Sequence, residues 1–143
     1  MPEPLPSPID SAVRLRFASI KITQALNMKL NRLALGEAEL SMPNRDNLHG
    51  IFDSLHGGIL MTLADTAACV AILTRIGADE VITTTDMNIR FLAPCLTDVT
   101  ADARIIKFGR SLVPVNVALR DDNGREVALA QVTYMRLERM PSR

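Results

Sequence analysis

Residues Leu55–Leu73 read LHGGILMTLADTAACVAIL. A His-Gly-Gly turn opens a run of apolar residues, and one carboxylate, Asp65, interrupts it. The pattern predicts a helix from about Gly57 to Ile76, with Gly77 as its stop. A helix that is apolar all round is a buried helix. A carboxylate inside it costs roughly several kcal/mol unless it is paired, neutralised or used. The chain therefore has to explain both what surrounds this helix and what Asp65 does.

After the helix, the sequence reads as antiparallel sheet. In Glu80–Leu92, Val81, Thr83, Thr85, Met87, Ile89 and Phe91 alternate with Ile82, Thr84, Asp86, Asn88 and Arg90, which predicts two distinct faces. Further strands are expected over Asp98–Phe108, Ser111–Arg120 and Arg125–Leu137, with turns at Gly109-Arg110 and at Asp121-Asp122-Asn123-Gly124. Pro114 inside the third of these four predicts a bulge or an edge position. Four strands in succession suggest a meander. Before the helix, Ile9–Leu26 has partial helical spacing, Asn27–Ala34 and Glu37–Met42 read as strands, and the polar Asn44–Leu55 reads as a loop. Residues 1–8 hold four prolines and are expected to be a flexible arm, leaving residues 9–143 as a single domain. The expected architecture is α+β: an antiparallel sheet curled around one long apolar helix, with an N-terminal helical segment. The uncovered side of such a unit predicts a homodimer.

Composition narrows the function. The 143 residues carry 16 basic and 16 acidic side chains, so no net field favours nucleic acid or an anionic membrane. Aromatics are 3% and tryptophan is absent, which argues against stacking platforms for single strands. No stretch reaches the ~18 uninterrupted apolar residues of a membrane span. The N-terminus lacks the basic and apolar regions of a signal peptide, so the expected compartment is the cytoplasm. Cys69 and Cys95 form no C-x-x-C pair, and no disulfide is expected.

The chemistry concentrates at the helix start. The first turn of a helix has free N–H groups and the positive end of the macrodipole, and Gly57 and Gly58 let a substrate approach that backbone closely. A thioester or ester carbonyl placed there would be polarised and its oxyanion stabilised. Asp65 lies eight residues beyond Gly57, or ~12 Å at a ~1.5 Å rise per residue. One acyl carbon cannot touch both from a single helix. If both act on one substrate, two subunits must contribute. Asp65 is equally readable as a satisfied buried carboxylate, and His56 as a turn residue that holds the backbone. His49, Asp53 and His56 match no strong ligand template, so no metal is expected. There is no G-x-S-x-G.

His56-Gly57-Gly58 followed by Asp65, with T-x-D-M-N-I-x-F-L-x-P over Thr84–Pro94, resembles the hotdog-fold acyl-CoA thioesterases of the phenylacetate-pathway type. Phe108–Leu112 and Asp121–Ala128 fit the same resemblance, which spans roughly Leu35 to Leu137. It implies a helix wrapped by an antiparallel sheet and paired into a homodimer or homotetramer, acting on acyl-CoA without a cofactor. It implies that Asp65 activates water or attacks the carbonyl, that the Gly57 amide polarises the carbonyl, and that Thr84 places the water or the acid. His56 and Gly58 belong to the same substrate-binding turn, and Lys107 and Arg110 would meet the coenzyme A phosphates. The family pattern has an asparagine six residues before the histidine. Here that position is Gly50, and Asn47, Asn44 or His49 is the nearest replacement.

The leading reading is hydrolysis of an acyl-CoA thioester to a carboxylic acid and free coenzyme A. The alternatives are a non-catalytic acyl-CoA binding protein and an enoyl-thioester hydratase or dehydratase.

Overall fold

The long helix, α3 (Gly57–Ile76), has the bounds its sequence predicts. His56 caps its first turn and Gly77, at φ 82°, ends it by donating its N–H to the Leu73 carbonyl. Ala64, Ala67, Ala68 and Ala71 are fully buried along α3 beside Leu63, Val70 and Ile72. These small side chains let a sheet approach the helix closely on several sides. The computed structural model describes residues 2–77 and 79–137.

Six antiparallel strands wrap the helix: β1 (Lys29–Ala34), β2 (Glu37–Met42), β3 (Val81–Phe91), β4 (Val99–Ile105), β5 (Leu112–Asp121) and β6 (Glu126–Leu137). Their order is β1-β2-β4-β5-β6-β3, so β1 and β3 are the edges. Inward positions alternate as period-2 strands require: Ala38, Leu40 and Met42 on β2, Val99, Ala101 and Ala103 on β4, and Val113, Val115, Val117 and Leu119 on β5 are all buried. This is the α+β architecture expected, an antiparallel sheet curled around one apolar helix. By length and composition α3 would also cross a membrane, but here it is the core that the sheet covers.

Four details differ from the sequence reading. The N-terminal helix is two: α1 (Ser7–Ser19) and α2 (Lys21–Ala25), broken at Ile20, whose backbone is extended. Thr23 Oγ1 donates to the Phe17 and Ile20 carbonyls there, which satisfies the groups the break frees. The four later strands are not one meander. β4, β5 and β6 are, but β3 crosses to the far edge and pairs with β6, while β4 joins β2. The cause is the connection 92–98, which is too long for a hairpin turn. Its Leu92 and Ala93 N–H groups donate to the Val127 carbonyl, carrying the chain across the start of β6.

Pro114 marks neither an edge nor a bulge. β5 lies between β4 and β6, and its register shift falls between Leu119 and Arg120. The Pro114 carbonyl accepts from the Ile106 N–H. Its ring nitrogen therefore faces the β4 side beyond Ile105, the last paired residue there, so proline removes only the reciprocal bond to Ile106 at the end of that ladder. Lastly, β3 carries a bulge between Thr84 and Asp86. The extra residue switches the alternation, so Ile82, Met87 and Ile89 pack on the core although the simple period puts Ile82 opposite the other two. Cys69 and Cys95 are both free thiols.

Candidate active site

The His-Gly-Gly turn is held by two rings. His56 Nδ1 accepts from the Gly58 N–H at 2.9 Å, capping the helix. A neutral His56 ring then carries its proton on Nε2. A Cβ on Gly58 would stand 3.1 Å from that Nδ1, and a Cβ on Gly57 would stand 3.0 Å from the Phe91 ring. A side chain at either position would have to shift these rings by a few tenths of an ångström, so the glycines fit the packing as well as the approach. The Gly58 N–H is consumed by the cap, whereas among the described residues nothing accepts from the Gly57 N–H. That donor sits at the positive end of α3, beside an open groove of about 520 Å³ lined by Leu55, Gly57, Leu60, Phe91 and Leu92.

Two turns along α3, Asp65 meets side chains from two strands. Thr84 on β3 donates from Oγ1 to Asp65 Oδ1 at 2.7 Å. Tyr134 on β6 lies 2.9 Å from the same oxygen and 2.9 Å from the Asp65 main-chain carbonyl. Thr84 and Tyr134 are cross-strand partners, so their side chains leave the same face of the sheet. Asp65 is therefore neither isolated nor ion-paired; it is held by hydroxyls. Cys69, one helical turn on, completes the cluster. Burial, and next the Asp65 charge, push its thiol up to about 11. At neutral pH Cys69 is a thiol and no nucleophile. Burial chiefly, then the neighbouring Cys69, raises the Tyr134 phenol, which remains a neutral donor.

A second pocket of about 260 Å³ adjoins this cluster, walled by Cys69, Leu73, Ile82 and Ile20, with Arg16 and Glu80 at its rim. Glu80 is paired with Arg136.

Of the other candidates, Asn44 is a structural tie. Its side-chain amide donates to the Cys95 and Thr97 carbonyls, its Oδ1 pairs with His49 Nε2, and its N–H donates to Asp98. Asn44 and His49 are thereby committed to each other. Asn47 is exposed in a short 3-10 turn, Asp46–Leu48, and its side chain has no hydrogen bond among the described residues. Gly50 faces the His56 ring. His49, Asp53 and His56 do not converge, and the described residues hold no metal-ready cluster of three His, Cys, Asp or Glu. Lys107 and Arg110 are exposed on the β4–β5 connection. Between them, Phe108 is stacked by Arg75 at 4.8 Å and Arg136 at 4.6 Å, which places this connection at the C-terminal end of α3, away from Gly57.

Tyr134 is the residue that sequence reasoning missed. It is the chain's only tyrosine, and it occupies an inward position of β6. Its buried hydroxyl needs a partner, but the partner becomes visible only once β6 is known to pair with β3.

A sheet-wrapped helix with a free amide at its start and a hydroxyl-held carboxylate at its middle is a hotdog fold with the parts of a hydrolytic site. A model of the thioesterase superfamily matches residues 52–128, and the chain belongs to that superfamily. It is a thioester hydrolase. The chain is 24% identical over 113 residues to the 1,4-dihydroxy-2-naphthoyl-CoA hydrolase of Listeria monocytogenes, covering 78% of this chain and 92% of that protein. Its fold matches the E. coli PaaI protein of the phenylacetic acid degradation operon with a TM-score of 0.83 at 21% identity, covering 91% and 94% of the two chains. A thioesterase family protein from Silicibacter pomeroyi matches with a TM-score of 0.84 at 26% identity, covering 90% and 98%.

Proposed function

We propose that the protein hydrolyses acyl-CoA thioesters at a site shared between two copies of the chain. The observation that carries this is the separation of the two working groups. The unpaired Gly57 N–H and the Asp65 carboxylate lie on one helix ~12 Å apart, too far for one carbonyl. Each has a marker on the edge strand: Phe91 packs on Gly57, and Thr84 bonds Asp65. β3 is eleven residues long and, among the described residues, pairs only with β6, leaving its other edge free to join a second β3. Antiparallel pairing of two such edges about Met87–Asn88 would bring the Phe91 end of one copy to the Thr84 end of the other. Gly57 of one subunit would then serve Asp65 of its partner.

In this reading the Gly57 N–H and the dipole of α3 polarise the thioester carbonyl and stabilise the oxyanion. Asp65 takes a proton from water as it adds to the acyl carbon, or attacks that carbon itself. The carbon–sulfur bond breaks, the thiolate of coenzyme A leaves and is protonated, and water supplies the second oxygen of the carboxylic acid. Cys69, Leu73, Ile82 and Ile20 offer the acyl group an apolar wall in a pocket that Arg16, Asp79 and Glu80 also line. Lys107 and Arg110 flank Phe108, on which Arg75 stacks, and these cations would meet the phosphates of coenzyme A.

Thiol release measured over a panel of acyl-CoAs tests the proposal. Turnover of at least one member is expected, together with its loss in Asp65→Asn. A panel with no turnover, or an Asp65→Asn variant as fast as the parent, would overturn it.

A further inference from the structure

The two oxygens of Asp65 are not equivalent. Oδ1 receives the Thr84 hydroxyl at 2.7 Å and lies 2.9 Å from the Tyr134 hydroxyl. Oδ2 has no donor among the described residues. It is not sealed off, because among the described residues the one buried side-chain polar atom without a partner is Arg45 Nε. Thr84 gives its one hydroxyl proton to Oδ1, and the Tyr134 hydroxyl, from the paired position on β6, has that same oxygen and the Asp65 main-chain carbonyl as acceptors at 2.9 Å each. Tyr134 is only 6% exposed, so its ring cannot swing away.

We propose that Tyr134 is a positioning residue for Asp65: with Thr84 it clamps Oδ1 and so presents Oδ2 as the oxygen that meets the reacting water or acyl carbon. This rests on the thioesterase reading given above for Asp65. The clamp fixes the side-chain rotation and leaves the lone pairs of Oδ2, which no donor among the described residues takes up, for the reacting water or acyl carbon. Thr84 spends its proton on Oδ1 but keeps its lone pairs, and a water donating to both Thr84 Oγ1 and Asp65 Oδ2 would be held by two acceptors. A purely structural role is the competing account, since the Asp65 main-chain carbonyl alone could satisfy the phenol. The two accounts differ in what happens to the carboxylate when the phenol proton is removed.

Tyr134→Phe in the full-length protein keeps the buried ring and deletes that proton. A positioning role predicts that kcat falls by roughly tenfold, that KM stays within about twofold, and that the acid limb of the pH–rate profile moves upward by about half a unit to one unit. The Asp65 carboxyl can also be titrated by carbon NMR, assigned by its absence in Asp65→Asn. Its midpoint should rise in Tyr134→Phe. This readout needs no turnover, so a protein inactive on every acyl-CoA tried would fail the functional proposal while still reporting on the clamp. Because Tyr134 is the only tyrosine, biosynthetic 3-fluorotyrosine labels this position alone. Its more acidic phenol is a stronger donor and should move the midpoint downward, opposite to Phe, which keeps the test decisive if the Phe variant does not fold. An Asp65 titration that is the same with tyrosine, phenylalanine and fluorotyrosine would overturn the proposal. So would an unchanged kcat and pH profile in Tyr134→Phe.

Discussion

The two ends of the first half of α3 do opposite kinds of work with opposite kinds of parts. At Gly57 the working group is main chain. His56 takes up the Gly58 N–H, Phe91 lies against Gly57, and what remains is one free amide at a helix start. At Asp65 the working group is a side chain, held by hydroxyls from β3 and β6. The first is specified by three consecutive residues and one ring. The second is assembled from elements 19 and 69 positions away in sequence. Neither end is a complete hydrolytic site. One supplies an electrophilic contact without a base, and the other a base without an oxyanion donor.

Breaking either end separately should show this division. Asp65→Asn should keep its melting temperature and lose at least ~10²-fold in kcat, the low end of what a general base contributes. Gly57→Pro should lose a similar ~10²–10³-fold, the usual cost of one oxyanion donor. Proline is tolerated at the first helical position, and His56 already has the extended backbone (φ −58°, ψ 137°) that a following proline requires. Gly57→Ala places the same Cβ against Phe91 but keeps the N–H, so its smaller loss reports on the amide. Steady-state kinetics on the best panel substrate would check all three.

Thr84→Val should cost about tenfold in kcat, at the low end for a hydrogen bond to a charge worth about 1.5–3 kcal/mol. His56→Ala should act on stability instead, by about 1 kcal/mol for a lost cap, measured by thermal or denaturant unfolding. The smallest effect at neutral pH belongs to Cys69. Its thiol titrates higher in the fold, at about 11, than at its ordinary 9.0, so the folded state binds the proton more tightly. The stability this gives is complete below about pH 9 and is lost as pH rises from about 9 to 11. A Cys69→Ala variant should show a shallower loss of melting temperature over that window than the parent.

What the sequence discloses follows the same division. The apolar run, the capping histidine and the two glycines are local, and they place α3 residue for residue. Asp65 stands out because nothing near it in sequence can pair with it. Thr84 is singled out by its motif and keeps the face it shares with Ile82, but strict alternation fails for the residues after it, because the bulge between Thr84 and Asp86 has no local signature in a Thr-Thr-Thr-Asp run. Tyr134 is invisible for a different reason. Its role depends on β3 lying beside β6, and a succession of strands suggests instead that β3 lies beside β4. The long connection 92–98 decides between the two, through main-chain bonds to Val127 that no side-chain pattern encodes. Lys107 and Arg110 are legible as turn cations, but their position at the far end of α3 is a property of the folded sheet.

The central claim is that the amide of one chain works with the carboxylate of another. Mixing Asp65→Asn with Gly57→Pro tests it most directly. Each variant alone is expected to be nearly inactive. If the site is shared, subunit exchange creates mixed dimers in which one site has an intact Gly57 from the first chain and an intact Asp65 from the second. Random pairing should then restore roughly a quarter of the parent's thioesterase activity, since about half the dimers are mixed and each has one good site. If each chain carries its own complete site, every site in the mixture has a defect, and activity after exchange would stay at the level of the separate variants.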